Sequence, residues 1–187
     1  ADHIFTAGKT TTPPGEAAYA FTVCRIEPEN NIHLILEAFA DCGKRLKIVG
    51  NWQQSPYSRK LFDTYAGREN IELIQPIYDQ QKLDALRSNC RLYIHGHSAG
   101  GTNPSLVEAM YLGLPVVAFD VAYNRATTED QAYFFKDKAE LIHILDTVED
   151  SSVSEVALKM REIAQRRYTW KKIAEKYAAI FNNQSGN

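Results

Sequence analysis

The chain has 187 residues, 44% of them hydrophobic, and a formal net charge of −2. That is enough for one domain with an ordinary core, without disulfide or metal staples. The charge balance gives no basic stripe for nucleic acid, and no apolar run approaches the ~20 residues that span a bilayer.

Residues 1–18 read as a linker. Their first residues lack the charged start and apolar centre of a secretory signal, and the abrupt start at Ala1-Asp2-His3-Ile4 reads as that of an excised piece. The stretch 7–16 is rich in turn formers and has no periodicity. The domain is expected over 19–187. It opens with a buried strand, Tyr19-Ala-Phe-Thr-Val-Cys24, and then a helix over 31–40 with Ile32, Leu36 and Phe39 at helical spacing.

The alternation then repeats. Strands are predicted over 46–49, 71–74, 91–95 and 115–119, with a weaker one over 132–135. Helices are predicted over 57–65, 80–87 and 104–111, and helical stretches near 138–147, 153–166 and 169–182 close the chain. Strands alternating with helices imply parallel pairing by right-handed crossovers. The fold class is therefore α/β, a doubly wound parallel sheet with C-terminal helices. Ligands bind such sheets outside the carboxyl ends of the strands, which gathers Arg25, Gly50-Asn-Trp52, Pro76-Ile-Tyr78, the run 96–103 and Asp120 along one edge. Cys24, Cys42 and Cys90 show no C-x-x-C spacing and read as free thiols of a reducing compartment.

The most informative run is His95-Gly-His-Ser-Ala-Gly-Gly-Thr-Asn-Pro-Ser-Leu-Val-Glu-Ala-Met110. It contains a literal G-x-S-x-G, the nucleophile-elbow pattern of serine hydrolases. An elbow needs its helix to begin at the serine, which would put Pro104 inside the helix, where its ring clashes with the preceding turn. Pro104 instead suits the first helical position, with Asn103 as N-cap, so the elbow geometry fails. The segment suits phosphate better. Gly100 and Gly101 let the backbone approach a ligand, and unpaired N–H groups gather at the helix start. Glu108, one turn further, leans back towards that mouth and can accept two hydrogen bonds from a ribose diol.

At these residues the sequence resembles the C-terminal domain of the GT-B glycosyltransferases of the large retaining family 4. Members carry G-R-[apolar]-x-P-E-K-N after the first strand, where this chain has Cys24-Arg-Ile-Glu-Pro-Glu-Asn-Asn31. They also carry E-G-F-G-x-x-x-x-E-A-M-A-x-G-x-P-V-V, where this chain has Gly100-Gly-Thr-Asn-Pro-Ser-Leu-Val-Glu-Ala-Met-Tyr-Leu-Gly-Leu-Pro-Val-Val117. The resemblance covers about residues 19–135, and Tyr168-Thr-Trp-Lys-Lys-Ile-Ala is similar to the family's closing helix. It implies a Rossmann-like half of a GT-B fold that binds a nucleotide diphosphate sugar. Arg25 is expected on the donor diphosphate, a fork suited to phosphate oxygens, with Asn30, Gly101, Thr102, Asn103 and Ser105 around it. Glu108 is expected on the ribose, His97, Ser98 and Gly100 beside the donor sugar, and Ile77 and Tyr78 at the base. The resemblance assigns no catalytic residue, no metal and no cofactor, the nucleotide sugar being a substrate. The acceptor, a glycan or lipid-linked molecule, is expected on an N-terminal domain outside this chain, against which a helix near Trp170–Phe181 would pack. The implied setting is cytoplasmic, with peripheral contact at the inner membrane face for the full-length protein.

Two departures stand out. The family lysine beside the diphosphate is Asn30, and the first glutamate of the second motif is Gly100. The wording of both runs resembles a subgroup of bacterial surface-polysaccharide transferases that includes rhamnosyltransferases. Alternatives from other classes are a nucleotide-sugar epimerase of related fold and a non-enzymatic nucleotide-binding module. A Rossmann dehydrogenase lacks its G-x-G-x-x-G here. His95 and His97 alternate on one strand face, as a metal pair or as cleft-lining side chains. Trp52 is read as a stacking surface or as loop packing. Tyr123-Asn-Arg125 is read as a second polar wall, with a salt bridge as the favoured role of Arg125.

Overall fold

A computed structural model describes residues 18–175 and 178 of the chain. The six-stranded sheet comprises β1 (Ala20–Val23), β2 (Leu46–Val49), β3 (Ile71–Ile74), β4 (Leu92–His95), β5 (Val116–Phe119) and β6 (Tyr133–Phe135). Their order is β3-β2-β1-β4-β5-β6 and every pairing is parallel. Strand order reverses between β1 and β4, which opens a crevice at their carboxyl ends.

The helices are α1 (Ile32–Cys42), α2 (Pro56–Tyr65), α3 (Gln80–Ser88), α4 (Pro104–Tyr111), α5 (Ala122–Thr128), α6 (Lys138–Thr147) and α7 (Asp150–Arg167). Their starts are chemically specified. Ser55 and Ser58 form a reciprocal capping box before Pro56, and Asp79, Asn103 and Asp137 each accept backbone N–H bonds at the heads of α3, α4 and α6.

Side-chain alternation divides the core into two layers. Ala20, Ile48, Leu92, Ile94 and Val117 pack with Leu36, Leu61 and Leu141 of α1, α2 and α6. Phe21, Val49, Tyr93, Val116 and Ala118 pack with Leu106, Met110 and Met160 of α4 and α7, joined by Leu83 and Leu86 of α3. Burial on both faces explains why the strands read as nearly continuous apolar runs.

The predicted doubly wound sheet is the observed one. Each predicted strand is present, and the weak 132–135 signal is the edge strand β6. α5 was not predicted as a helix. It packs through buried Asn124, Thr127 and Thr128 and so carries no apolar period. α7 begins at Asp150, three residues before the expected start. Helical residues 170–175 open the last predicted helix, whose remainder apart from residue 178, like nearly all of the 1–18 linker, lies outside the described residues. Among the described residues no helix is long and apolar enough to cross a membrane.

Candidate functional site

Two loops meet at the crevice, residues 24–31 after β1 and 96–103 after β4. A side chain at Gly96 would overlap the Asn30 carbonyl oxygen, so only glycine permits this approach. Polar bonds fasten the loops. Asn31 Nδ2 donates to Gly96 O at 2.8 Å, and Ser98 donates to Glu29 O from its backbone N at 2.7 Å and its hydroxyl at 2.9 Å. Asn124 of α5 donates from Nδ2 to both His97 O and Phe119 O at 2.9 Å, tying the second loop to the end of β5.

The join leaves a cavity of ≈ 300 Å³ lined by Arg25, Asn30, His97, Asn103, Ser105 and Glu108, among others. A second cavity, of ≈ 230 Å³, shares Val23, Cys24 and Arg25 with the first and continues to Pro76, Ile77 and Tyr78 beyond β3. The two form a strip across the switch point, from the head of α4 past β1 to β3.

The head of α4 has the predicted form. Asn103 Oδ1 accepts from Ser105 N at 2.9 Å and Ser105 Oγ at 2.8 Å, with Pro104 at the first helical position. Glu108 lies one turn in. Its Oε2 accepts from Arg87 Nη1 at 2.7 Å, and Arg87 is almost wholly buried, its side chain 2% exposed against 27% for Glu108. This guanidinium was not singled out in the sequence. It sits in the last turn of α3, a helix that also carries Lys82 and Asp84, and its burial depends on the fold bringing α3 beside α4.

Arg25 extends into both cavities with its side chain 70% exposed and meets Glu27 at 3.4 Å. Asn30 is buried. Its Nδ2 donates to Arg25 O at 2.8 Å, and its Oδ1 lies 2.8 Å from His97 Nδ1. Because the Asn30 amide nitrogen is committed to a carbonyl, its oxygen faces the ring, and His97 Nδ1 carries the proton of that bond. Burial lowers the His97 pKa, with Glu29 opposing the shift and Arg25 reinforcing it. Beneath it, His95 is pushed down to about 3, first by burial and then by His97, and stays neutral. Burial likewise pushes the Cys24 thiol up to about 12, helped by Glu27, so no thiolate forms in the cleft.

The other residues expected at the site fall as follows. Gly100 adopts a left-handed φ of +100°, and a side chain there would point at His97 Nε2, 3.6 Å away. The Cβ position of Gly101 is open. Thr102 turns to Thr127, hydroxyl to hydroxyl at 3.4 Å. Ser98 Oγ donates to Glu29 O, six residues before the helix begins, which is not elbow geometry. The rings of His95 and His97 lie 6.0 Å apart on one face, and among the described residues they join no group of three metal-binding side chains. Trp52 is fully buried and donates to Ile74 O at 3.0 Å, which makes it loop packing. Arg125 is a salt-bridge residue, bound to both oxygens of Asp120 and to Asp130.

Known proteins share this architecture. The C-terminal domain of LpcC, a glycosyl transferase group 1 family protein from Francisella tularensis, superposes with a TM-score of 0.67 at 14% identity, over 81% of this chain and 87% of that one. HepE from Anabaena, solved with UDP-glucose, superposes with a TM-score of 0.73 at 20% identity, over 88% of this chain and 48% of HepE. In sequence, the chain is 30% identical over 111 residues to the GtfA subunit of a UDP-N-acetylglucosamine–peptide N-acetylglucosaminyltransferase from Streptococcus parasanguinis, covering 57% of this chain. It spans 21% and 31% of the length of two curated GtfA relatives that it matches. The family described as glycosyl transferases group 1 matches residues 6–167, and the chain belongs to it.

Proposed function

We propose that this chain is the donor-binding domain of a glycosyltransferase that moves a hexosyl group from a nucleotide diphosphate sugar to a glycan acceptor. The observation that carries this reading is the company kept by Glu108: a carboxylate held by buried Arg87, in one cavity with Arg25 and the head of α4. A ribose diol needs a fixed double acceptor, and a diphosphate needs a cation and free N–H groups. Glu108 holds the ribose. Arg25, Asn103 and Ser105 surround the diphosphate, and Ile77 and Tyr78 border the base.

In transfer, negative charge grows on the departing diphosphate as the glycosidic bond breaks. Arg25 and the dipole of α4 stabilise it in place, the kind of preorganised electrostatic term that dominates such reactions. The acceptor is held by a further domain of a longer protein. The UDP-glucose in HepE supports a nucleotide sugar as donor.

The test is calorimetric titration of the chain with UDP, dTDP, GDP and ADP, with Glu108→Gln as control. Selective binding of one diphosphate, weakened at least tenfold in the variant, is the expected result. Equal binding by wild type and variant removes Glu108 from the site, and a full-length protein that binds donor but transfers no sugar to any glycan makes this a binding module.

A further inference from the structure

We propose that His97 takes up a proton when the donor diphosphate enters the cleft, so that donor affinity is linked to pH. This rests on the donor-site reading above. Its basis is an imbalance of charge. Of the cavity's two permanent ions, Arg25 leans on Glu27 at 3.4 Å and Glu108 is matched by Arg87 at 2.7 Å. The lining is therefore close to neutral, while the diphosphate of a nucleotide sugar carries two negative charges. His97 is the group in this lining able to gain a positive charge near neutral pH.

Its surroundings admit both charge states. Asn30 Oδ1, 2.8 Å from Nδ1, accepts a hydrogen bond from the neutral ring and from the imidazolium alike. Burial and Arg25 disfavour the charge, while Glu29, Glu27 and the Ala99 carbonyl favour it. From below, His95 presents a ring that stays neutral, and from α5 Tyr123 presents an aromatic face at 6.3 Å. Glu108 lies across the cavity with its charge already matched. Gly100 puts no side chain beside Nε2, where a Cβ would stand 3.6 Å from that nitrogen. A dianion arriving on that side raises the ring's pKa, and the proton comes from solvent.

The test uses UDP-glucose, whose diester phosphates do not titrate near neutrality. Affinity for the chain is expected to rise by up to about tenfold per unit as pH falls from about 8 to about 6. Calorimetry in buffers of different ionisation enthalpy then shows proton uptake, and His97→Gln abolishes both effects while still binding. Histidine ring ¹⁵N spectra of the wild type, which do not depend on the variant folding, should show Nδ1–H in the free protein and a doubly protonated ring when bound. Binding without proton uptake, uptake that persists in His97→Gln, or an Nε2–H tautomer overturns the proposal and leaves the donor site intact. No binding at any pH overturns both.

Discussion

Two ion-pair groups flank the loop after β4, and they differ in what they leave open. Arg87 is buried and holds one oxygen of Glu108, whose other oxygen accepts no hydrogen bond from the described residues although Glu108 lines the cavity. Arg125, on α5, donates from each of its three guanidinium nitrogens to a carboxylate, to both oxygens of Asp120 and to Asp130, with its guanidinium 4.2 Å over the Phe134 ring. Lys136 adds a further contact to Asp120 at 3.6 Å. Both groups are carboxylate–arginine clusters, one between α3 and α4 and one between Asp120 and α5. They differ in engagement, because both oxygens of Asp120 and all three nitrogens of Arg125 are already bonded, whereas one oxygen of Glu108 is open to a ligand.

The largest expected effect breaks the first pair. Glu108→Ala leaves the Arg87 charge buried without its partner, which costs about 3–5 kcal/mol of stability. It also abolishes nucleotide binding, so a loss of affinity in this variant alone would confuse folding with recognition. Arg87→Met costs less, since the freed carboxylate is partly exposed and can hydrate. The double variant Arg87→Met/Glu108→Gln should recover most of the stability in urea unfolding while nucleotide affinity stays at least tenfold weak. Recovery of both would mean that the pair is structural only.

A smaller effect probes the more engaged group. The Arg125 guanidinium, bonded to Asp120, holds that carboxyl below its usual range, with Lys136 adding to the pull. A depressed folded-state pKa contributes stability above the unfolded value and loses it as pH falls through the folded one. The chain should therefore lose stability from about pH 4 downward, and Asp120→Asn should flatten that acid limb. Nucleotide affinity at neutral pH should be unchanged within twofold. A marked loss of affinity would place the Asp120 cluster in the site and end the distinction between the two groups.

The sheet was legible because buried parallel strands keep short apolar runs and because capping chemistry marks the helix starts. Asn103-Pro104 located the head of α4 to the residue, and that placement dismissed the serine motif. Glu108 was legible by its spacing from that cap. Arg87 was not, because a charge on a short helix reads as solvated until its partner helix is known. In sequence Asn30 is a residue beside the diphosphate that lacks the positive charge of the family lysine. The structure gives it a positive task, since it ties the β1 loop to His97 and sets which ring nitrogen holds the proton. α5 escaped notice because its buried contacts are made by asparagine and threonine.

The smallest expected effect carries the same distinction to the aromatics beyond β2 and β3. Trp52 is buried with its N–H bonded to Ile74 O, whereas Tyr78 is 94% exposed and borders the second cavity. A side chain so exposed contributes little to packing, so Tyr78→Ala should leave stability within about 0.5 kcal/mol of wild type. Stacking of a base on that ring would contribute about 0.5–1.5 kcal/mol, so nucleotide affinity should fall roughly twofold to tenfold. Trp52→Phe should do the reverse, lowering the unfolding midpoint while leaving affinity alone. If Tyr78→Ala binds nucleotide as well as wild type, the base is held by other groups along the strip, and exposure alone does not identify a ligand surface here.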